Sequence, residues 1–253
     1  MSGPIASSEV VILVKALPRP SKTYGETVCC AGVTSKREWK RLYPVRFRYL
    51  SVDQRFKRWE QIKFKYRIPT HDRRIESCHI FEDKIDFTGT LVPHSRFALL
   101  DPMIVPSASA TAANGASLAI IRPTDTRFVY KKKSDSAIES ETRAYRDAGR
   151  QTGFLDKELA EFKPSSYRFA FSFRDGDGKH TWQCGDWETH AAFLKWRGLY
   201  SEVDALRKLS DVYNDDYPKK GFVFAIGNMA RRPQTWQLLG VIRLDTTGQL
   251  DLI

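Results

Sequence analysis

The stretch Gln61-Ile62-Lys63-Phe64-Lys65-Tyr66-Arg67-Ile68 alternates apolar and cationic residues almost without a break. A period of two is the signature of a β-strand with opposite faces. Ile62, Phe64, Tyr66 and Ile68 are expected in a core, with Lys63, Lys65 and Arg67 in a row on the other side. Three parallel cations on one sheet face repel one another unless an anion lies across them. Arg46 and Arg48, flanking Phe47, repeat the pattern at the end of the apolar segment Trp39–Phe47.

Outward from this strand, further short strands are expected at Val10–Leu17, Thr27–Val33, Trp39–Phe47 and Ile75–Phe81, a spacing that suits a small barrel or sandwich. Residues 102–117, rich in Ser, Ala, Thr, Pro and Gly, read as a connection with little packing of its own. Ser117–Ile121 and Thr126–Tyr130 are two more candidate strands, followed by a polar, helical stretch through Phe162. In the last third, Tyr167–Arg174 alternates Tyr167, Phe169, Phe171 and Phe173 with polar or small residues, and Asp175-Gly176-Asp177-Gly178 signals a hairpin into His180–Cys184. Asp186 is placed to cap a helix, a second helix carries Val203, Leu206, Leu209 and Val212 or Tyr213 inward, and Gly221–Gly227 and Trp236–Leu244 return as strands. The fold class expected is mainly β with helical insertions (α+β). Residues 1–92 form a basic barrel, 93–165 a loop-rich connection with some strand and helix, and 166–253 a second β domain with helices at about 187–213.

The charge is unevenly placed. Of 253 residues with a formal charge of +11, residues 1–75 hold 17 Lys/Arg against 6 Asp/Glu, and the remainder 24 against 24. Between Lys36 and Arg73 the cations are interleaved with Trp39, Tyr43, Phe47, Tyr49, Phe56, Trp59, Phe64 and Tyr66. Cations neutralise phosphates and aromatic faces stack on bases, so nucleic acid, single-stranded by preference, is the partner this mixture suits. Phosphate contacts are assigned to Arg46, Arg48, Lys63, Lys65 and Arg67, stacking to Trp39, Tyr43 and Trp59, nucleic-acid binding also to Arg41, and a loop over the bound strand to the segment that carries Lys22. For each of those aromatics a core position is the other reading, and for the cations a solvated face.

Other classes find less support. The longest clean apolar run, Val10–Val14, is five residues, far short of the roughly 20 of a membrane helix, and no secretory leader is recognisable, so a cytoplasmic protein is expected. Cys29, Cys30, Cys78 and Cys184 include no C-x-x-C and read as reduced, mostly buried thiols. The five histidines are scattered, and neither a P-loop nor a G-x-G-x-x-G occurs. Asp72, Glu76, Glu82, Asp83 and Asp86 are acidic residues able in principle to hold Mg²⁺, but charged turn residues are common. No catalytic set, metal ligand or cofactor is assigned.

Several short motifs lie in a familiar order. Cys29-Cys30-Ala31-Gly32, Trp39-Lys40-Arg41-Leu42-Tyr43-Pro44, Trp59–Ile68 and Arg74–Ser77 with Glu76 are followed near the end by Phe222–Gly227 and Trp236–Ile242. This arrangement resembles bacterial dual OB domain-containing proteins, at both ends of the chain and not between residues 93 and 165. The resemblance implies two OB-like small β-barrels, a fold that in general binds single-stranded nucleic acid. A neutral second barrel suits a protein partner or a homodimer contact through the C-terminal half. Two further functions stay open on this reading: an accessory subunit of a bacterial defence or nucleic-acid-modification complex, and a metal-dependent enzyme acting on nucleic acid.

Overall fold

The computed structural model describes residues 3–21, 24–150 and 164–245. The chain divides into two units, one of residues 1–90 and 132–167 and one of residues 91–131 and 168–253. Residues 93–165, expected as a connection, are thus shared between the two. Their first part supplies strands and the short helices α1 (Pro93–Leu100) and α2 (Ala108–Ala113) to the second unit, and their later part supplies α3 (Asp135–Arg150) to the first. The small residues 102–117 are not a bare loop, because Ser107 caps α2 by accepting from the backbone N–H of Ala110 at 3.2 Å.

In the first unit the chain forms β1 (Ala6–Lys15), β2 (Arg19–Ser21), β3 (Gly25–Val33), β4 (Trp39–Val45), β5 (Glu60–Arg67) and β6 (Ser77–Thr90). The N-terminal half of β1 pairs with β5 and its C-terminal half with β3, the change occurring at a bulge between Ile12 and Val14. β3 pairs antiparallel with β4, β4 runs parallel to β6, and β6 returns antiparallel to β5. The ring β1-β3-β4-β6-β5 closes on β1, a five-stranded Greek-key barrel of the OB type. Val10–Val14 is buried on both faces, which explains why it reads as a continuous apolar run. Gly32 is required at the closure: a Cβ there would meet the Val11 carbonyl oxygen at 2.5 Å. α3 packs on β2 and β3, where the Tyr145 hydroxyl donates to the Pro18 carbonyl and Ala148 is buried. This cover explains why β3 is buried along nearly all of its length.

The second unit contains β7 (Ile104–Val105), β8 (Leu118–Ile121), β9 (Thr124–Lys132), β10 (Tyr167–Asp175), β11 (Gly178–Gln183), β12 (Phe222–Met229) and β13 (Arg232–Arg243). β8 and β9 are the two halves of one bent strand, interrupted at Arg122-Pro123, where proline has no N–H for the ladder. β8 pairs with β12 and β9 with β10, which pairs with β11. Just past β11, Cys184 bridges in parallel to Leu238 of β13, and the Gly185 N–H donates to the Leu238 carbonyl at 2.8 Å. The order (β8/β9)-β10-β11-β13-β12 repeats that of the first barrel, with a parallel contact again between the third and fifth barrel strands, while β7 adds in parallel to β8.

Between β11 and β12 lie α4 (Trp187–Leu199), α5 (Glu202–Asp211), a π-helical turn and α6 (Tyr217–Lys220). Asp186 caps α4 as the sequence predicts: one carboxylate oxygen accepts from Glu188 N–H at 3.1 Å, and the other accepts from Val241 N–H at 3.0 Å, fixing the helix to β13. Phe169, Phe171 and Phe173 fill the barrel with Phe128, Phe193 and Phe224. Leu206, Leu209 and Tyr213 point inward, but Val203 lies in the first turn of α5 and is 74% exposed. No helix among the described residues is long and apolar enough to cross a membrane.

Candidate nucleic-acid interface

β5 follows its expected alternation over Ile62–Lys65, while Tyr66, expected in the core, is half-buried. Ile62 and Phe64 are fully buried while Lys63 and Lys65 are exposed. Ile68 is a correction: the strand stops at Arg67, and Ile68 is 77% exposed instead of in the core. Arg67 is half-buried, its guanidinium 5.4 Å from the centre of the Phe81 ring. The strand register then assembles a site across three strands. Arg67 of β5 stands opposite His79 of β6, and His79 stands opposite Tyr43 of β4. Tyr43 is 39% exposed and meets the Tyr24 ring edge-on at 5.9 Å. Burial, aided by the charge of Arg67, holds His79 below the ordinary imidazole value, so the ring is neutral at pH 7.

The cation row is flanked by carboxylates. Lys63 is opposite Glu9 of β1 on one side and Asp86 of β6 on the other, while Lys65 faces Ser7. Glu9 in turn accepts from the Thr88 hydroxyl at 2.6 Å.

Several residues assigned to contacts are instead scaffold. β4 ends at Val45, so Arg46 and Arg48 lie beyond the strand and share no face with Lys63. Arg46 donates Nε to Glu82 at 2.9 Å and its backbone N–H to the same carboxylate. Arg48 pairs with buried Glu26 at 2.8 Å; burial raises that carboxyl, and the arginine pulls against the rise. Arg41 is 3% exposed and lies against Cys29, with Nη1 3.7 Å from its Sγ, while the Arg41 N–H donates to the Glu76 carbonyl at 2.7 Å. The reason is the β5–β6 loop, which folds back over this part of β4. There Asp72 accepts from Arg74 Nε at 2.9 Å and Nη2 at 2.6 Å, and from the Ser77 hydroxyl at 2.7 Å. Burial alone would raise the Asp72 pKa, but these hydrogen bonds and the Arg74 charge hold it at about 2.

Trp59 is likewise core. Its exposure is 8%, its N–H donates to the Ile12 carbonyl at 2.8 Å, and it holds a left-handed φ of 73°. Trp39 is half-buried at the start of β4, beside Tyr43 in strand parity. Lys22 lies outside the described residues. His79 is the contributor that sequence reasoning missed, because only the strand register brings it between Tyr43 and Arg67.

The acidic residues considered for Mg²⁺ are dispersed into other duties: Asp72 with Arg74, Glu82 with Arg46, and Asp83 with Lys84. Among the described residues no three His, Cys, Asp or Glu side chains gather as a metal-holding group. All four cysteines are free; burial pushes the Cys78 thiol up to about 12 and raises Cys30 well above its ordinary value.

Residues 6–102 match a family model described as Domain of unknown function (DUF8758), and residues 104–251 match one described as Domain of unknown function (DUF8757). The two matches meet 12 residues past the first change of unit at residue 90, and the second match includes residues 132–167 of the first unit. No curated protein matches the chain. Because the second match spans more than half of the sequence, the chain belongs to the DUF8757 family.

Proposed function

We propose that the chain binds single-stranded nucleic acid on the outer face of its first barrel, across β4, β6 and β5. The observation that carries this reading is the row Tyr43, His79, Arg67, continued along β5 by exposed Lys65 and Lys63. Aromatic faces stack on unpaired bases, and cations displace counterions from phosphates. A duplex keeps its bases stacked inside, so an accessible ring beside a cation row favours a single strand.

In this reading Tyr43 is the stacking platform and Tyr24 steadies it from the side. Arg67, braced on Phe81, and Lys65 take phosphates. Lys63 contributes less, because Glu9 and Asp86 share its charge. Neutral His79 offers one donor and one acceptor to a base or sugar. Arg41, Arg46, Arg48 and Trp59 act by holding the barrel in shape. The paired barrels also support the likeness to bacterial dual OB domain-containing proteins.

The test is fluorescence-anisotropy titration of the full chain with labelled single- and double-stranded DNA and RNA at low and moderate salt. Tight binding to a single strand that weakens steeply with salt is the expected result. No binding at low salt to any of the four overturns the proposal.

A further inference from the structure

The second unit, with 16 Lys/Arg against 13 Asp/Glu, gathers part of its positive charge on one sheet face. On β10, Phe169, Phe171 and Phe173 point into the barrel, so Arg168, Ala170, Ser172 and Arg174 point out. The β10–β11 register sets Gln183, Thr181 and Lys179 opposite Ala170, Ser172 and Arg174. On β9, Phe128 is buried, which turns Arg127 and Lys131 to the same outer side. Arg127, Lys131, Arg168, Arg174 and Lys179 are all exposed. Among the described residues, Asp125 of β9 brings a carboxylate to this face, 3.9 Å from Arg174 Nε. Many of the unit's other acids lie on or next to its helices, at Asp186, Glu188, Glu202, Asp204, Asp211, Asp215 and Asp216.

Arg174 and Lys179 are direct cross-strand partners, a like-charge pair that costs stability unless an anion compensates it. The middle of the face is made of Ala170, Ser172 and Thr181, small enough for an extended chain to lie close against the sheet. The outward positions of β9, β10 and β11 carry no aromatic side chain. A ligand is therefore held here by its charges and not by stacking.

We propose that the outer face of β9, β10 and β11 is a second nucleic-acid surface, one that grips the phosphodiester backbone without reading its bases. This surface is separate from the one on the first barrel, and it stands or falls independently. It also differs in kind: the first-barrel surface adds a stacking ring, Tyr43, to its cations, whereas this surface acts through cations alone, so that its whole contribution weakens with salt.

The test uses the full chain and fluorescein-labelled oligothymidylate and oligouridylate, comparing R168E/R174E/K179E with K63E/K65E/R67E. The second-barrel variant is expected to lose at least about tenfold in affinity at moderate salt, with a log–log salt slope shallower by about 2. The neutral R168Q/R174Q/K179Q, checked by thermal melting, serves if charge reversal prevents folding. Wild-type affinity and slope in the second-barrel variant, alongside loss in the first-barrel variant, overturn this inference and leave the first-barrel reading standing. The converse pattern overturns the first-barrel reading and supports this one. If the wild type binds neither oligonucleotide, both fall.

Discussion

Replacing Lys63, Lys65 and Arg67 together by glutamine removes the cation row without adding repulsion. Two of the three side chains are exposed and the third rests on an aromatic ring, so the barrel is expected to stay folded. Each phosphate neutralised on a single strand contributes about 0.7 to the log–log slope of affinity against salt, so three contacts change the slope by about 2. Carried to roughly 0.1 M salt, that difference is about two decades in affinity. The structure sets a lower limit as well. Lys63 stands between Glu9 and Asp86; if they cancel its contact entirely, two contacts remain, and the loss is about 1.4 slope units and about 25-fold. The assay is anisotropy titration with a labelled single strand at a series of salt concentrations, beside a thermal melt. A slope within about 0.5 of the wild type, from a variant that melts normally, refutes the assignment of β5 as a phosphate track.

Tyr43→Ala is expected to weaken single-strand binding by about 1 to 3 kcal/mol with the salt slope unchanged, measured in the same titrations. Trp59→Leu should do the reverse: the buried ring makes it cost about 2 kcal/mol of unfolding free energy in denaturant titration, with binding by the folded fraction unaltered. Gly32→Ala places a Cβ against the Val11 carbonyl at 2.5 Å, backbone that has no free rotamer to yield, and should destabilise the first barrel by about 3 kcal/mol or more. Asp72 titrates at about 2 in the folded chain against an ordinary 3.8, so its ionised form stabilises the fold above the ordinary value and that contribution is lost as pH falls from about 4 towards 2. Discounted for partial solvent exposure, the contribution is about 1 kcal/mol, and the gap in stability between wild type and Asp72→Asn should close over that interval.

The alternation at Gln61–Ile68 was readable because a half-buried strand imposes period two on its own sequence, whatever its neighbours are. The similar Arg46-Phe47-Arg48 was not, since β4 ends at Val45 and the acids that hold these arginines lie 36 and 22 residues away along the chain. Trp59 and Arg41 failed for a related reason: composition names a residue's chemistry, but coverage by another segment decides whether solvent reaches it. The unit boundaries were hidden by the split first strand of the second barrel. β8 and β9 are broken by Pro123 and separated from β10 by residues 133–166, so they read as part of a connection.

The basic face of the second barrel exposes a different limit, one of arithmetic and not of folding. Summing charge over residues 76–253 gives zero because the window takes in acids of the first unit and adds strand cations to carboxylates on or next to helices, whereas the second unit alone holds 16 Lys/Arg against 13 Asp/Glu. Parity separates them: once Phe169, Phe171 and Phe173 are assigned inward, Arg168 and Arg174 must face outward. The outward cations of β10 follow from alternation alone, as Lys63 and Lys65 do on β5. Only the cross-strand match of Arg174 with Lys179 required the structure, because register depends on where the turn at Gly176-Asp177 falls. A cross-strand pair of like charges, relieved on the arginine's side by Asp125, is a poor way to stabilise a sheet and a good way to hold a chain of phosphates. The zero sum over residues 76–253 is therefore no argument against nucleic acid on the second barrel.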